Sequence, residues 1–306
     1  GSRKVDQFDM SLGGPIKKDK IWIFGAYRRA YIDSTVDRSP ADIQAFHAFA
    51  PELVDDLPAN LLHSHQPFVK LTSRVHQNHE LIGMFQYDRM RQQSVRSNEA
   101  NRTTVTDVGG GMYGVSLQST YGQSLTTKFS FNYNNKQGND PSRYDPDLMA
   151  LGVPLSIFQS TTVNQGIPTG VGNIFNEGGY GTMAIETSNY SVVRGDVTWF
   201  KQEGLGGSHE FQGGFLLMPH NYYRGRNIVI DPSGWTAESQ RLRDPNNMNS
   251  GLVPFSRTFV TSALETTNTE GKDHDYGLYV QDTWRPMHRL TMTLGVRADF
   301  VERDDI

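Results

Sequence analysis

The chain has 306 residues, 36% hydrophobic, 11% aromatic and 20% charged, with a formal net charge of −4 and no cysteine. Without cysteine there is no disulfide framework, thiolate metal site or thiol nucleophile, and the balanced charge leaves no basic excess to neutralise nucleic acid. Mean hydropathy is −0.54 and no run approaches about 18 apolar residues, which excludes a membrane-spanning helix but not a β-barrel, whose alternating strands average out in hydropathy.

Period-two alternation predicts ten strands, over 4–13, 20–32, 66–76, 79–92, 110–121, 124–137, 188–201, 208–224, 273–285 and 289–301. In the third, Val69, Leu71 and Val75 oppose Lys70, Thr72, Arg74 and His76. In the fifth and sixth, Tyr113, Val115 and Leu117, then Phe129, Phe131 and Tyr133, face away from Ser116, Gln118, Lys128, Ser130 and Asn132. Val193, Val197 and Trp199 oppose Arg194, Asp196 and Thr198. The clearest case closes the chain, with Leu290, Met292, Leu294, Val296, Ala298 and Phe300 against Thr291, Thr293, Arg297 and Asp299. Helical periodicity is nearly absent; Ser39-Pro40 predicts a short capped helix that Pro51 and Pro58 limit.

The connections alternate without exception between short (14–19, 77–78, 122–123, 202–207, 286–288) and long (33–65, 93–109, 138–187, 225–272). An up-and-down meander sorts its loops to two ends in this way, and outer-membrane barrels have short periplasmic turns and long extracellular loops. The long connections, rich in Asn, Gly, Pro, Ser and Asp, read as exposed excursions rather than domains. Trp22, Phe24, Tyr27, Tyr31, Phe85, Tyr87, Tyr121, Tyr133, Trp199, Tyr276 and Trp284 lie towards strand ends, where an interfacial girdle needs aromatics. The expected fold is therefore all-β: an antiparallel up-and-down transmembrane β-barrel. With both ends of the ten strands on the long-loop side, residues 1–306 are expected to form part of a larger barrel.

Gln7-Phe8-Asp9-Met10-Ser11-Leu12-Gly13-Gly14-Pro15-Ile16-Lys17-Lys18-Asp19-Lys20, followed by Ile21-Trp22-Ile23-Phe24-Gly25-Ala26-Tyr27, resembles TonB-dependent outer-membrane receptors. More narrowly it resembles the Oar-like group, which carries an N-terminal carboxypeptidase-regulatory-like domain. Tyr276–Trp284 with Arg289–Arg297 is similar to a mid-barrel hairpin of these receptors, and Val69–Tyr87 matches their style. The resemblance implies about ten strands of a 22-stranded barrel closed by a plug, in the outer membrane of a Gram-negative-type bacterium. It implies as partners outer-membrane lipid, the receptor's own plug, the TonB–ExbB–ExbD complex and an unidentified ligand, with no cofactor and no enzymatic activity. The chain contains no plug, TonB box, regulatory-like domain or C-terminal aromatic signal, so the TonB contact falls on no residue here.

On this reading Lys70, Arg74, Lys128, Arg194, Asp196, Arg297 and Asp299 line the lumen, facing plug and substrate path. Tyr222, Tyr223, Arg224 and Arg226 are expected ligand contacts in an extracellular loop. Other motifs read as structural. His274 in Asp273-His274-Asp275 cannot share a strand face with either aspartate. His63-Ser64-His65 would put both rings on one face if extended, but reads as a solvated loop. Residues 244–251 and 139–147 are oxygen-rich without EF-hand spacing, Gly109-Gly110-Gly111 precedes no helix, and Arg194-Gly195-Asp196 is mid-strand alternation. Two other classes stay open: a complete ten-stranded outer-membrane enzyme using His274 or Asp275 at its rim, and a soluble β-rich carbohydrate-binding protein. No metal site is expected.

Overall fold

The computed structural model describes residues 2–101, 104–139, 152–164, 167–179, 182–203, 206–228, 234–259 and 266–305; the side chains of 104, 139, 161–164, 167–169, 182, 183, 226–228, 266, 267 and 305 lie outside it. Ten strands form one antiparallel sheet: β1 (Arg3–Lys17), β2 (Ile21–Ser34), β3 (Asn60–His76), β4 (His79–Ser94), β5 (Thr104–Tyr121), β6 (Leu125–Asn139), β9 (Thr182–Lys201), β10 (Ser208–Ile228), β13 (Thr266–Met287) and β14 (Leu290–Asp305). Each pairs with the next in this order, so the sheet is a pure meander. Among the described residues β1 and β14 pair on one side only, and the open sheet fits part of a barrel. All ten expected strands are present, several extended at the long-loop end. The tight turn after β1 holds Asp19 at φ 58°, where its short polar side chain tolerates the left-handed region.

The register aligns an apolar set from each strand on one face. Ile23 pairs with Leu71, Phe85 with Tyr113, Phe131 with Val193 and Val280 with Val296. This face is open: Leu12 is 79% and Val296 72% exposed, and Phe129, Leu278 and Leu294 are exposed beside them. A water-soluble sheet would bury such a face; a barrel wall turns it to hydrocarbon. Along β4 the outward residues run Leu81, Gly83, Phe85 and Tyr87 before reaching Arg89, and aromatics close the apolar run on neighbouring strands too. Tyr113 stacks on Tyr133 at 6.5 Å and meets Phe85 at 5.2 Å. Of the expected girdle aromatics, Trp22 and Phe24 fall on the other face: Phe24 pairs with Gly13 and Lys70, and Arg74 lies over Trp22 at 5.6 Å. A one-residue difference in parity moves a side chain to the opposite face.

The long connections are not isolated excursions. Ser39 caps helix α1 (Pro40–Phe49) through a reciprocal box: Asp42 N–H donates to Ser39 Oγ at 3.2 Å, and Ser39 N–H donates to the Asp42 carboxylate at 2.9 Å. Later connections supply β7 (Leu155–Asn164), β8 (Ile167–Glu177), β11 (Trp235–Leu242) and β12 (Leu252–Phe259), which form a second sheet in the order β12-β11-β7-β8. All four connections share one core. Phe46, Ala100, Ile157 and Phe175 are buried together, with Met248 and Leu252 packed on them, and Phe46 meets Phe175 edge-on at 5.3 Å. Arg38 reaches across connections, donating to the Ser97 and Pro58 carbonyls at 3.0 and 2.7 Å and lying 5.1 Å from the Phe46 ring centre. Thus, among the described residues, the buried apolar cluster belongs to the loops, while the main sheet presents two open faces.

Phe46 is 0% exposed, so Phe46→Ala is expected to cost the cap about 3–5 kcal/mol. Hydrogen exchange should show faster exchange in all four connections with the main-sheet strands still protected. Burial, reinforced by Glu52, raises the Glu177 carboxyl above the ordinary glutamate range. The folded cap thus holds this proton more tightly than the unfolded chain. Its stabilisation is complete below the ordinary glutamate value and is lost as pH rises through the raised one. Glu177→Gln should flatten the cap's pH dependence in the same exchange measurement and slow exchange at neutral pH.

Candidate functional site

The opposite face of the main sheet carries its polar chemistry. Register places Lys128, Asp196, Gly214, Tyr279 and Arg297 in one row across β6, β9, β10, β13 and β14. The adjoining row holds Ser130, Arg194, Leu216, Gly277 and Asp299. Arg194 Nε donates to both oxygens of Asp196 at 3.0 and 2.8 Å, and Tyr279 Oη donates to Asp196 Oδ1 at 2.8 Å. Arg297 Nε likewise donates to Asp299 at 3.0 and 2.8 Å. Each pair is i, i+2 on one strand, the spacing that puts both side chains on one face.

Gly214 makes the first row possible. A Cβ there would stand 2.5 Å from the Gly195 carbonyl oxygen, 2.7 Å from Tyr279 Cε1 and 3.0 Å from Asp196 Oδ1, so the bare backbone both clears the neighbouring strand and leaves the gap through which the tyrosine ring crosses β10. Gly195 does the same on the apolar face, where a Cβ would meet the Phe215 ring at 2.4 Å. Arg194-Gly195-Asp196 is accordingly a strand segment whose ends make the polar pair and whose middle receives a ring.

All seven residues expected on the polar faces share this face of the sheet. The structure brings five together: Lys128, Arg194, Asp196, Arg297 and Asp299. Lys70 and Arg74 stand apart on β3, three strands from β6, where Lys70 pairs with Phe24 and Met84. Tyr279 belongs to the cluster and the sequence reading missed it; its signal was a glycine at the matching position of the neighbouring strand, visible only once register is known.

Further towards the cap the same face carries Ser188, His220 and Asp273. Ser188 Oγ and His220 Nε2 are 2.8 Å apart, and His220 Nδ1 lies 3.7 Å from Asp273. The order resembles a hydrolytic triad, but the second distance is too long for a hydrogen bond. Ser188 also sits on an interior strand, paired with Lys136 and Tyr222, so neighbouring backbone N–H groups serve the ladder rather than an oxyanion. His274 occupies the other face, stacked on Tyr276 at 6.3 Å, separated from both flanking aspartates as strand parity requires.

Two placements correct the sequence reading. Tyr222, Tyr223, Arg224 and Arg226 are not in a loop: β10 extends to Ile228 and pairs through them with β9 and β13. They alternate, so Tyr223 faces outward while Tyr222 and Arg224 lie on the polar face. Arg224 is held by Glu186 at 2.8 Å; the Arg226 side chain lies outside the described residues. His63 and His65 are likewise strand residues on β3, packed beside Tyr31 at 4.6 Å and Tyr27 at 6.2 Å between ring centres. The long-loop ends of these strands outlast the alternation that predicted them. In 244–251, Asn246 N–H donates to Asp244 and Asn249 N–H to Asn247, ordinary Asx turns; 140–147 lie outside the described residues. Among the described residues no three His, Asp or Glu group as metal ligands.

Residues 49–303 match a protein family described as an outer membrane beta barrel domain. No curated protein sequence matches the chain. Among solved structures, the chain is similar to the outer membrane transporter YddB from Escherichia coli (TM-score 0.59, 14% identity, covering 99% of this chain and 35% of that one). It is also similar to the ferripyoverdine receptor of Pseudomonas aeruginosa (0.61, 10%, 99% and 36%) and to the siderophore receptor PirA from Acinetobacter baumannii (0.55, 8%, 98% and 37%). The chain thus spans about a third of the length of the structures it resembles.

Gly214→Val should displace Tyr279 from Asp196 and cost about 1–3 kcal/mol, whereas Tyr279→Phe removes one hydrogen bond to a charged group, about 1.5–3 kcal/mol. If Tyr279 acts only through Asp196, the double variant is no less stable than the worse single one. Urea unfolding of the membrane-extracted protein checks this.

Proposed function

We propose, from the premise that the chain belongs to the outer membrane beta-barrel domain family, that it is an arc of the wall of a TonB-dependent receptor of the Oar-like group. The chain lies in the outer membrane, with its apolar face towards lipid. In this proposal residues 1–306 supply ten strands of a 22-stranded barrel, the short turns face the periplasm, and the four-connection cap faces outside. The polar face lines a lumen that a plug, outside this chain, closes. Energy for transport comes from the TonB–ExbB–ExbD complex through that same missing part.

The observation that carries this reading is the contrast between the two faces of one continuous meander. The outer face carries an apolar band across ten strands. The inner holds Lys128, Tyr279 and the pairs Arg194–Asp196 and Arg297–Asp299, an array suited to holding a surface rather than reacting with it. Lys70 and Arg74 extend the array along β3. In this reading Tyr222 and Arg224, on the same face near the cap, would meet a ligand descending from outside, while Tyr223, on the opposite face, would not. Structures described as transporters and siderophore receptors share the fold, which supports transport over catalysis.

Leu294 is 60% exposed on the apolar face. Leu294→Arg should cost roughly 2–4 kcal/mol at mid-bilayer, and Arg297→Lys, on the lumen face, should be nearly silent; folding assays of the full-length protein compare them, and equal tolerance would defeat the face assignment. Intact mass spectrometry of detergent-extracted outer membranes tests the whole reading. It should find this sequence within a polypeptide roughly three times as long. A stable inserted product of this length alone would contradict it.

A further inference from the structure

The turn that joins β3 to β4 reads His76-Gln77-Asn78-His79. The ladder sets His76 opposite His79 and His79 opposite Ser119, so the three form one row across β3, β4 and β5. The two imidazole centres are 5.5 Å apart. Two imidazoles that bind one ion through a nitrogen each, at about 2.1 Å, hold their ring centres about 5–6 Å apart. The backbone therefore already spaces this pair for a shared ion.

The neighbours decide what each ring can do. Ser119, 2% exposed, holds His79 Nδ1 at 2.8 Å, and Tyr121, also on β5, meets the His79 ring edge-on at 5.5 Å. With its proton on Nδ1, donated to Ser119 Oγ, His79 keeps the Nε2 lone pair for a ligand bond. A hydrogen bond from the far nitrogen is what orients a metal-bound histidine and fixes its tautomer. His76 is exposed, and among the described residues its ring makes no hydrogen bond, so it can turn without losing one. A ring pair kept for packing alone would be covered; this one is open to water on the His76 side.

We propose that His76 and His79 bind one divalent transition-metal ion of the class that prefers imidazole, Cu²⁺, Ni²⁺ or Zn²⁺, with water completing its shell. Imidazole nitrogen selects these ions over Ca²⁺ and Mg²⁺, which take oxygen. Two protein ligands are fewer than a closed structural site provides, so the ion exchanges and chelators reach it. Ser119 is a positioning residue, acting through the His79 ring. Once bound, the ion ties the end of β3 to the start of β4. The site depends only on register at this turn, and it stands or falls separately from transport.

The test is electron paramagnetic resonance of the full-length protein in detergent, stripped with EDTA and given one equivalent of Cu²⁺. The expected spectrum shows two coordinating nitrogens, unchanged by excess Ca²⁺ or Mg²⁺. His76→Ala, at an exposed turn position, should fold and lose that two-nitrogen signal. Ser119→Ala should keep both ligands yet bind Cu²⁺ about 10–100-fold more weakly in a calorimetric titration. A spectrum that is the same in His76→Ala and the unaltered protein, coordination by oxygen alone, or displacement of Cu²⁺ by Ca²⁺ would each overturn the proposal.

Discussion

A strand in hydrocarbon has no water to satisfy its N–H and C=O groups, so each must find a partner in the ladder. That requirement explains more of this chain than any side chain does. It forces the ten wall strands, β1 to β6, β9, β10, β13 and β14, into one uninterrupted meander, with register constant over most of its length. It fixes parity too, since one slipped residue would turn a whole strand's apolar set inward. Each strand is satisfied by the next, and among the described residues the outermost two of this sheet pair on one side.

The polar face answers the same requirement in another way. Four of its charges are placed where a neighbour neutralises them: Arg194 with Asp196, Arg297 with Asp299. Glycines are the means of fitting large groups across a ladder whose spacing allows little room. Gly214 admits Tyr279, Gly195 admits Phe215, and Gly13 lies under Phe24. The packing that a soluble domain concentrates in its centre is moved here to the cap, where Phe46, Ile157 and Phe175 supply the only buried apolar cluster among the described residues. The wall and its cap are stabilised by different physics: the one by lipid and ladder, the other by a dry core.

Much of this architecture is legible in the order of the residues. Alternation locates all ten wall strands and sorts Lys128, Arg194 and Asp299 onto the correct face, and the alternation of short and long connections fixes the topology. Ser39-Pro40 announces helix α1. The cap strands β7, β8, β11 and β12 are not legible, because the parallel β7–β11 pairing joins two different connections and their pattern is set by a shared core rather than by a lipid face. The extensions of β3 through His63 and of β10 through Tyr223 escape for a related reason: above the membrane both faces are polar, so parity persists but hydropathy no longer reports it. Trp22 and Phe24 show the reverse error, where residue type suggests a girdle and parity overrules it.

The central claim is that one face of the meander touches lipid and the other does not. Because the chain has no cysteine, single cysteines placed in turn at 290–300 on β14 of the full-length protein can carry a spin label without background from this segment. Accessibility to oxygen, which partitions into lipid, against a water-soluble nickel chelate measures the contrast directly. The account predicts strict period two, with oxygen favoured at 290, 292, 294, 296, 298 and 300 and depressed at the intervening positions. Uniform accessibility, or a period near 3.6, would contradict it.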